Sequence, residues 1–291
     1  MAQDINNLLS TANWALAKKH LPTPHLDAEV LLSWVIKKPK EFLYTYPQKR
    51  LSPPQIEKFN QIINRRIKGE PIAYIIGKKE FYGLDFRVNR DVLIPRPETE
   101  LLVEETLAEM RKQKSENKNF NLVDVGTGSG AIIISLTKNL STNKNFKYYA
   151  SDISQKALTV AKFNANKFNV KIKFLKGNLL TPFKNIKIDI LVANLPYVWP
   201  KWKNNKSLSA GLKFEPQMAI FTKEKGLYLY RQLFEQIASQ KYQPSFIICE
   251  FDPRQTSEVQ RIAKKILPLF RQKIKKDLAG LNRIIILSKI K

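Results

Sequence analysis

Asn194-Leu195-Pro196-Tyr197 follows directly on the apolar run Ile188-Asp189-Ile190-Leu191-Val192-Ala193, and these residue types suit one difficult reaction. An amide or ring amino nitrogen is a poor nucleophile because its lone pair is delocalised. The side-chain carbonyl of Asn194 and a nearby backbone carbonyl can accept both N–H bonds of such a group. That fixes it and favours a nitrogen with more lone-pair character. Tyr197 can then cover the planar group. Attack on a sulfonium methyl requires in-line positioning and charge complementarity more than a strong base. The only histidines, His20 and His25, fall in the N-terminal part, so no histidine base is expected. Catalytic roles are expected of Asn194, Pro196 and Tyr197, with Leu195 completing the substrate loop. Alone, the four residues also fit an ordinary turn, and they accept an adenine amine as readily as a carboxamide. Their placement favours a site, because ligands in open parallel sheets bind beyond the carboxyl ends of strands.

A second cluster, Asp124-Val125-Gly126-Thr127-Gly128-Ser129-Gly130, lies between a predicted strand and the apolar helix Ala131–Leu136. Glycines let the backbone turn sharply and approach a ligand that a Cβ would keep away. The helix N-terminus behind them offers unpaired N–H groups. Asp152 follows Gly130 by 22 residues, at the end of the next strand, where a carboxylate can accept both ribose hydroxyls. Gly126, Gly128 and Ala131 equally satisfy the G-x-G-x-x-G/A dinucleotide pattern, so the glycines alone do not separate NAD from S-adenosylmethionine. A tight turn with no ligand is the plain alternative. Asn178, after the third strand, is placed with Leu179 to meet an adenine, although an exposed loop asparagine would look the same. The expected cofactor is S-adenosyl-L-methionine. Its expected contacts are Gly126, Thr127, Gly128, Ser129, Gly130, Asp152, Asn178, Leu179 and Asn194.

The elements that must position these residues change character along the chain. Residues 1–75 read as a small helical domain, expected to dock the substrate. Leu26, Val30, Leu31 and Trp34 recur at helical spacing after Pro22–Pro24. Ile56, Phe59, Ile63 and Ile67 follow Pro53-Pro54, and Gly69 with Pro71 stops that helix. Residues 76–92 read as a β-hairpin linker, with Ile75-Ile76-Gly77 as part of one strand and Phe81–Val88 holding the other. Residues 93–291 read as the catalytic domain. It opens with Ile94-Pro95-Arg96-Pro97-Glu98-Thr99-Glu100 and a helix through Leu102, Val103, Leu107 and Met110. Strands are expected at Leu122–Val125, Tyr148–Ser151, Ile172–Leu175, Ile188–Ala193 and Phe246–Phe251, with helices Ser154–Phe168 and Leu227–Ser239 among them. Lys273–Lys276 and Arg283–Leu287 look like a closing antiparallel hairpin. The fold class is therefore α/β, a Rossmann-like methyltransferase domain with a seven-stranded sheet whose last hairpin is antiparallel.

Composition bounds the rest. The 291 residues are 43% apolar, which suits two folded domains of unequal size. The N-terminus lacks a basic, then apolar, leader, and no apolar run is long enough to cross a bilayer, so a cytoplasmic location is expected. Cys249 is the single cysteine, which excludes an internal disulfide and paired thiolates for zinc. No metal is expected, and a monomer is. The net charge is +25, of which +19 belongs to residues 93–291. It fits a nucleic-acid footprint or a lysine-rich composition equally well, leaving room for direct nucleic-acid binding without requiring it.

Several segments together resemble the peptide chain release factor N5-glutamine methyltransferases over nearly the whole chain. They are Leu26–Leu32, Gly69–Gly77, Glu80-Phe81-Tyr82, Ile94–Glu100, Asp124–Gly130, Ser151–Ser154, Gly226-Leu227 and Asp277-Leu278-Ala279-Gly280. The resemblance implies that Gly126, Gly128, Gly130 and Asp152 bind S-adenosylmethionine. It implies that Asn194, Pro196 and Tyr197 hold the glutamine of a Gly-Gly-Gln motif, so that the partner is a release factor and the product N5-methylglutamine. Two positions depart from the family pattern. Leu195 stands where the family has a first proline, which loosens the loop, and Asn178 stands where an aspartate is common. Asn-Leu-Pro-Tyr also occurs in rRNA adenine dimethyltransferases, which lack the helical N-terminal domain and the Pro-Arg-Pro-Glu segment. A glutamine methyltransferase of a ribosomal protein, an rRNA or DNA adenine methyltransferase and a non-enzymatic adaptor are the competing expectations. Trp199 and Trp202 suit a protein-docking loop better than base stacking.

Overall fold

The computed structural model describes residues 3–111, 120–140, 146–204 and 210–290. The chain forms two compact units, one of Met1–Lys78 with a short segment ending at Phe214, the other holding the remainder.

The first unit is helical, with α1 (Ile5–Ala17), α2 (Pro24–Ile36), α3 (Lys40–Thr45), α4 (Pro53–Ile67) and α5 (Ile72–Ile76). Prolines at the first turn cost no hydrogen bond, which is why α2 and α4 begin on Pro24 and Pro53. Ser52 and Gln55 form a capping box at the start of α4. Phe59 and Ile63 are buried with Leu31 and Leu32, as the helical stripes predict. Leu26, the first residue of the apolar helical spacing, is 45% exposed, and its neighbours Asp27 and Glu29 are buried. Pairing makes this tolerable: Asp27 accepts from Arg66 Nε at 2.7 Å and from the Thr23 hydroxyl at 2.8 Å. Glu29 accepts from the Tyr44 phenol. Ile75-Ile76 is helix, not strand. The short helix starts after Pro71 and ends at Gly77, whose φ of +77° suits a left-handed stop.

Next along the chain are β1 (Lys78–Phe81) and β2 (Leu84–Arg87), a two-stranded sheet that lies in the second unit from Lys79 on. Tyr82 and Gly83, at φ +51° and +74°, make the two-residue turn. After α6 (Glu100–Arg111) come β3 (Phe120–Val125), α7 (Ala131–Asn139), β4 (Phe146–Asp152), α8 (Gln155–Lys167), β5 (Lys173–Lys176) and β6 (Ile190–Ala193). The chain closes with α9 (Tyr228–Ala238), β7 (Phe246–Glu250), α10 (Thr256–Ile266), β8 (Phe270–Lys276) and β9 (Asn282–Lys289). The seven strands are ordered β5-β4-β3-β6-β7-β9-β8, parallel except for β9, which runs antiparallel to both neighbours. Successive side chains of β6 point to opposite faces. Leu191 and Ala193 join a core with Leu233 and Phe234 of α9, and Ile190 and Val192 join one with Leu102 of α6 and Ile133 of α7. Cys249 lies in the first of these cores, where burial pushes its thiol far above the usual range and leaves it unreactive. Among the described residues no helix is long and apolar enough to cross a membrane.

Candidate active site

The strand order places β3 between β4 and β6, so loops leaving its two neighbours diverge at the top of the sheet and open a crevice. Register aligns the parts: Val125 pairs with Ala193, and Ala193 with Cys249. Gly126, Asn194 and Glu250 therefore leave three adjacent strands at one level.

At the β3 end, the N–H groups of Gly126 and Thr127 both donate to Ser151 O at 2.9 Å, and Gly130 caps α7 at φ +82°. A Cβ on Gly130 would stand 2.9 Å from Ile134 Cδ1, so that glycine serves close packing of the helix. Gly128, at φ +55°, has open space where a Cβ would sit. Asp152 Oδ2 accepts the Gly128 N–H at 2.9 Å, and Oδ1 accepts that of Ser154 at 2.8 Å. Burial raises the Asp152 carboxyl above its ordinary range while these bonds oppose the shift. Asp124 beneath it is fully buried and pushed up to about 7, by desolvation first and by the nearby Asp152 charge as well. The Thr127 hydroxyl donates to Asp124 Oδ2 at 2.7 Å, and Oδ1 has no partner among the described residues. Buried Asn164 of α8 binds the Arg87 backbone at 2.8 and 3.0 Å and Ser129 O at 2.9 Å, tying the hairpin to the glycine turn.

At the β6 end, Asn194 Nδ2 donates to the Thr99 hydroxyl at 3.1 Å, which orients the amide plane. Thr99 belongs to the Ile94–Glu100 segment, and that segment is itself anchored. Buried Glu215 accepts the Ile94 N–H at 3.0 Å and pairs with Arg96, while Glu100 accepts the Tyr82 N–H at 2.9 Å. The Leu195 N–H donates to the Tyr230 hydroxyl at 3.1 Å. The Tyr197 phenol donates to Glu250 Oε1 at 3.0 Å, and the Tyr197 carbonyl accepts from Gln255 Nε2 at 2.8 Å. Burial raises the Glu250 carboxyl and, still more strongly, the Tyr197 phenol. The Tyr197 phenol therefore keeps its proton and its bond to Glu250.

A cavity of about 390 Å³ joins the two ends. It brings together Gly126, Gly128, Asp152, Asn178, Leu179, Asn194, Leu195 and Pro196 from the expected set, walled further by Leu93, Ile153 and Phe221. Thr127, Ser129, Gly130 and Tyr197 lie off that wall. Asn178 is exposed at its edge and Leu179 is buried. A cofactor with a ribose, an apolar ring and a compact cation suits these walls. Asp152 keeps lone pairs for hydroxyls beyond its two backbone bonds, Leu93 and Leu179 are apolar, and the carboxylates favour positive charge. Among the described residues no cluster could hold a metal. No local sequence pattern marks Thr99, Glu215, Tyr230 or Gln255 as supports of the motif. The one usable signal was Glu250, an acid closing an otherwise apolar strand.

Residues 7–77 match a family model described as the PrmC N-terminal domain, and residues 116–273 one described as a methyltransferase domain. A release factor glutamine methyltransferase of Moorella thermoacetica is 34% identical over 281 residues, covering 96% of each chain. A bifunctional methyltransferase of Rickettsia prowazekii is 36% identical over 311 residues, or 100% of this chain and 58% of that protein. The chain thus spans little more than half the length of such relatives. Among solved structures, the hMettl16 catalytic domain in complex with a MAT2A 3′UTR hairpin superposes with a TM-score of 0.56 at 14% identity, over 88% of this chain and 90% of that one. At such identity the likeness speaks for the fold alone. A glycine turn and an Asn-Leu-Pro-Tyr loop on one crevice, a methyltransferase domain and a near full-length relative agree: the chain belongs to the release factor glutamine methyltransferase family.

Proposed function

We propose that the chain methylates the amide nitrogen (N5) of the glutamine in the Gly-Gly-Gln motif of a peptide chain release factor, in support of translation termination. The cofactor of this methyltransferase is S-adenosylmethionine, which supplies a methyl group activated by the sulfonium charge. Asp152 is assigned to the ribose hydroxyls, the Gly126–Gly130 turn to close backbone approach, and Asn178 with Leu179 to the adenine. Asn194 is assigned to the substrate amide, its side-chain carbonyl accepting one N–H while the loop backbone accepts the other. Pro196 stiffens that backbone and Tyr197 flanks the planar group. Such fixation turns a bimolecular encounter into an oriented one, which lowers the barrier. In this reading the enzyme acts as a monomer in the cytoplasm, and the helical unit docks the protein substrate.

The observation that carries the proposal is the Thr99–Asn194 bond. The Ile94–Glu100 segment, which separates this family from adenine methyltransferases carrying the same four residues, is the segment that orients the Asn194 amide. Asn194→Ala is expected to lower turnover by about 100-fold or more with cofactor affinity changed little. Asp152→Ala is expected to weaken cofactor binding by about tenfold or more, read by calorimetry. The deciding experiment incubates the protein with labelled cofactor and a recombinant release factor, its Gln→Ala form, or ribosomal RNA. Label should enter the first alone, and label in RNA instead would reassign the substrate to an adenine.

A further inference from the structure

The Asn194–Tyr197 loop contains one backbone donor that a proline would lack, the N–H of Leu195. It donates to the Tyr230 hydroxyl at 3.1 Å. Tyr230, on α9, is fully buried, and its hydroxyl in turn donates to the backbone carbonyl of Glu250 at the end of β7. A hydroxyl has one proton to give and two lone pairs to offer, so both bonds coexist. One oxygen atom thereby ties the end of β6 to the end of β7, next to the residue assigned to the substrate amide.

Packing alone does not account for the hydroxyl. The ring lies beside Phe234 with centroids 6.4 Å apart, in a core where phenylalanine would fill the same space. Burial raises the phenol well above its usual range, so it remains protonated and keeps donating. Leu195 needs such a partner. Its side chain is buried, with Cδ2 only 3.0 Å from where a Cβ on Gly126 would stand. Its backbone, however, has a rotational freedom that a proline ring would remove. A buried N–H without an acceptor would also lose the hydrogen bond that water gives it in the unfolded chain.

We propose that Tyr230 is a positioning residue for methyl transfer, holding the Asn194–Tyr197 loop through the Leu195 N–H and replacing the restraint of a proline ring with a hydrogen bond. The proposal rests on the assignment of Asn194 to the substrate amide. Its target is loop geometry, so cofactor binding should be spared.

The test uses the whole chain carrying Tyr230→Phe, Leu195→Pro or both. In the single Tyr230→Phe variant, kcat toward a release factor should fall roughly 10- to 100-fold, with cofactor Kd within about twofold. Exchange of the Leu195 amide should accelerate by about tenfold or more, while the Val192 and Ala193 amides stay as protected as before. In the Leu195→Pro background the donor is gone, so adding Tyr230→Phe should change kcat by less than about threefold. An equal fall in both backgrounds, unchanged Leu195 exchange, or a parallel loss of cofactor binding would overturn the proposal. Should the unsubstituted protein leave release factors unlabelled, the substrate assignment falls, and the exchange measurement still decides the role of Tyr230.

Discussion

Gly226 is the position where one added carbon should do most harm. Its φ is +88°, and a Cβ there would stand 1.9 Å from the Tyr197 carbonyl oxygen and 2.3 Å from Gln255 Nε2. That amide nitrogen holds both Tyr197 O and Lys225 O at 2.8 Å, so neither neighbour can yield alone. Gly226→Ala should displace Tyr197 and lower kcat by about 100-fold. Gly226 does not line the cofactor cavity, so calorimetry should find cofactor affinity nearly unchanged. Asp124 gives a second prediction at this scale. Its folded pKa of about 7 exceeds the unfolded value of 3.8, so the unfolded state loses its proton first. The favourable contribution is complete below the unfolded value and is lost as pH rises from about 4 through about 7. Asp124→Asn keeps an acceptor for Thr127 and removes the titration. Urea unfolding should show the variant gaining on the parent by a few kcal/mol across that window, at about 1.4 kcal/mol per pKa unit, and flat above it. A constant difference at every pH would show that burial does not hold the Asp124 proton.

Between elements, single side chains carry much of the alignment. Asn164 is wholly buried and spends its amide on three backbone groups, two on Arg87 at the end of the hairpin and one on Ser129 in the glycine turn. Asn164→Ala leaves those groups without partners inside the protein. A stability loss of about 2–4 kcal/mol is expected in denaturant unfolding, with weaker cofactor binding because the Gly126–Gly130 turn loses a support. Such ties also show why the sequence disclosed elements better than their fastenings. The parallel strands and the closing hairpin are legible because short runs holding apolar or aromatic residues alternate with helical stretches. Asn194 and Asp152 were legible because each ends such a run. Tyr230 and Thr99 were not, since the partners they serve lie 35 and 95 residues away and no local pattern marks them. Ile75-Ile76 misled for the opposite reason: two β-branched residues look like strand, but Pro71 and Gly77 bound a single helical turn. Leu26 opens the apolar spacing of its helix but is exposed, because paired Asp27 and Glu29 take the inward face.

At the scale of the whole chain, the charge of +25 gains meaning from where its acids reside. Asp27, Glu29, Glu70, Asp124, Asp189, Glu215 and Glu250 are all buried, and several face an arginine or lysine, whereas most lysines are exposed. The field presented to solvent is accordingly basic, and such a field raises the encounter rate with an acidic partner by about 10-fold or more at low salt. It does little for a cofactor enclosed in its own cavity. These dependences separate on titration with salt, because the screening length shrinks from about 14 Å near 0.05 M to about 5–6 Å near 0.3 M. If the charge steers a protein substrate, KM for the release factor should rise about tenfold over that range, while cofactor Kd moves by less than about twofold. Charge reversal of exposed lysines remote from the crevice, such as Lys264 and Lys265 on α10, should flatten the KM curve without changing kcat. A KM that ignores salt would mean that the exposed lysines do not steer the substrate.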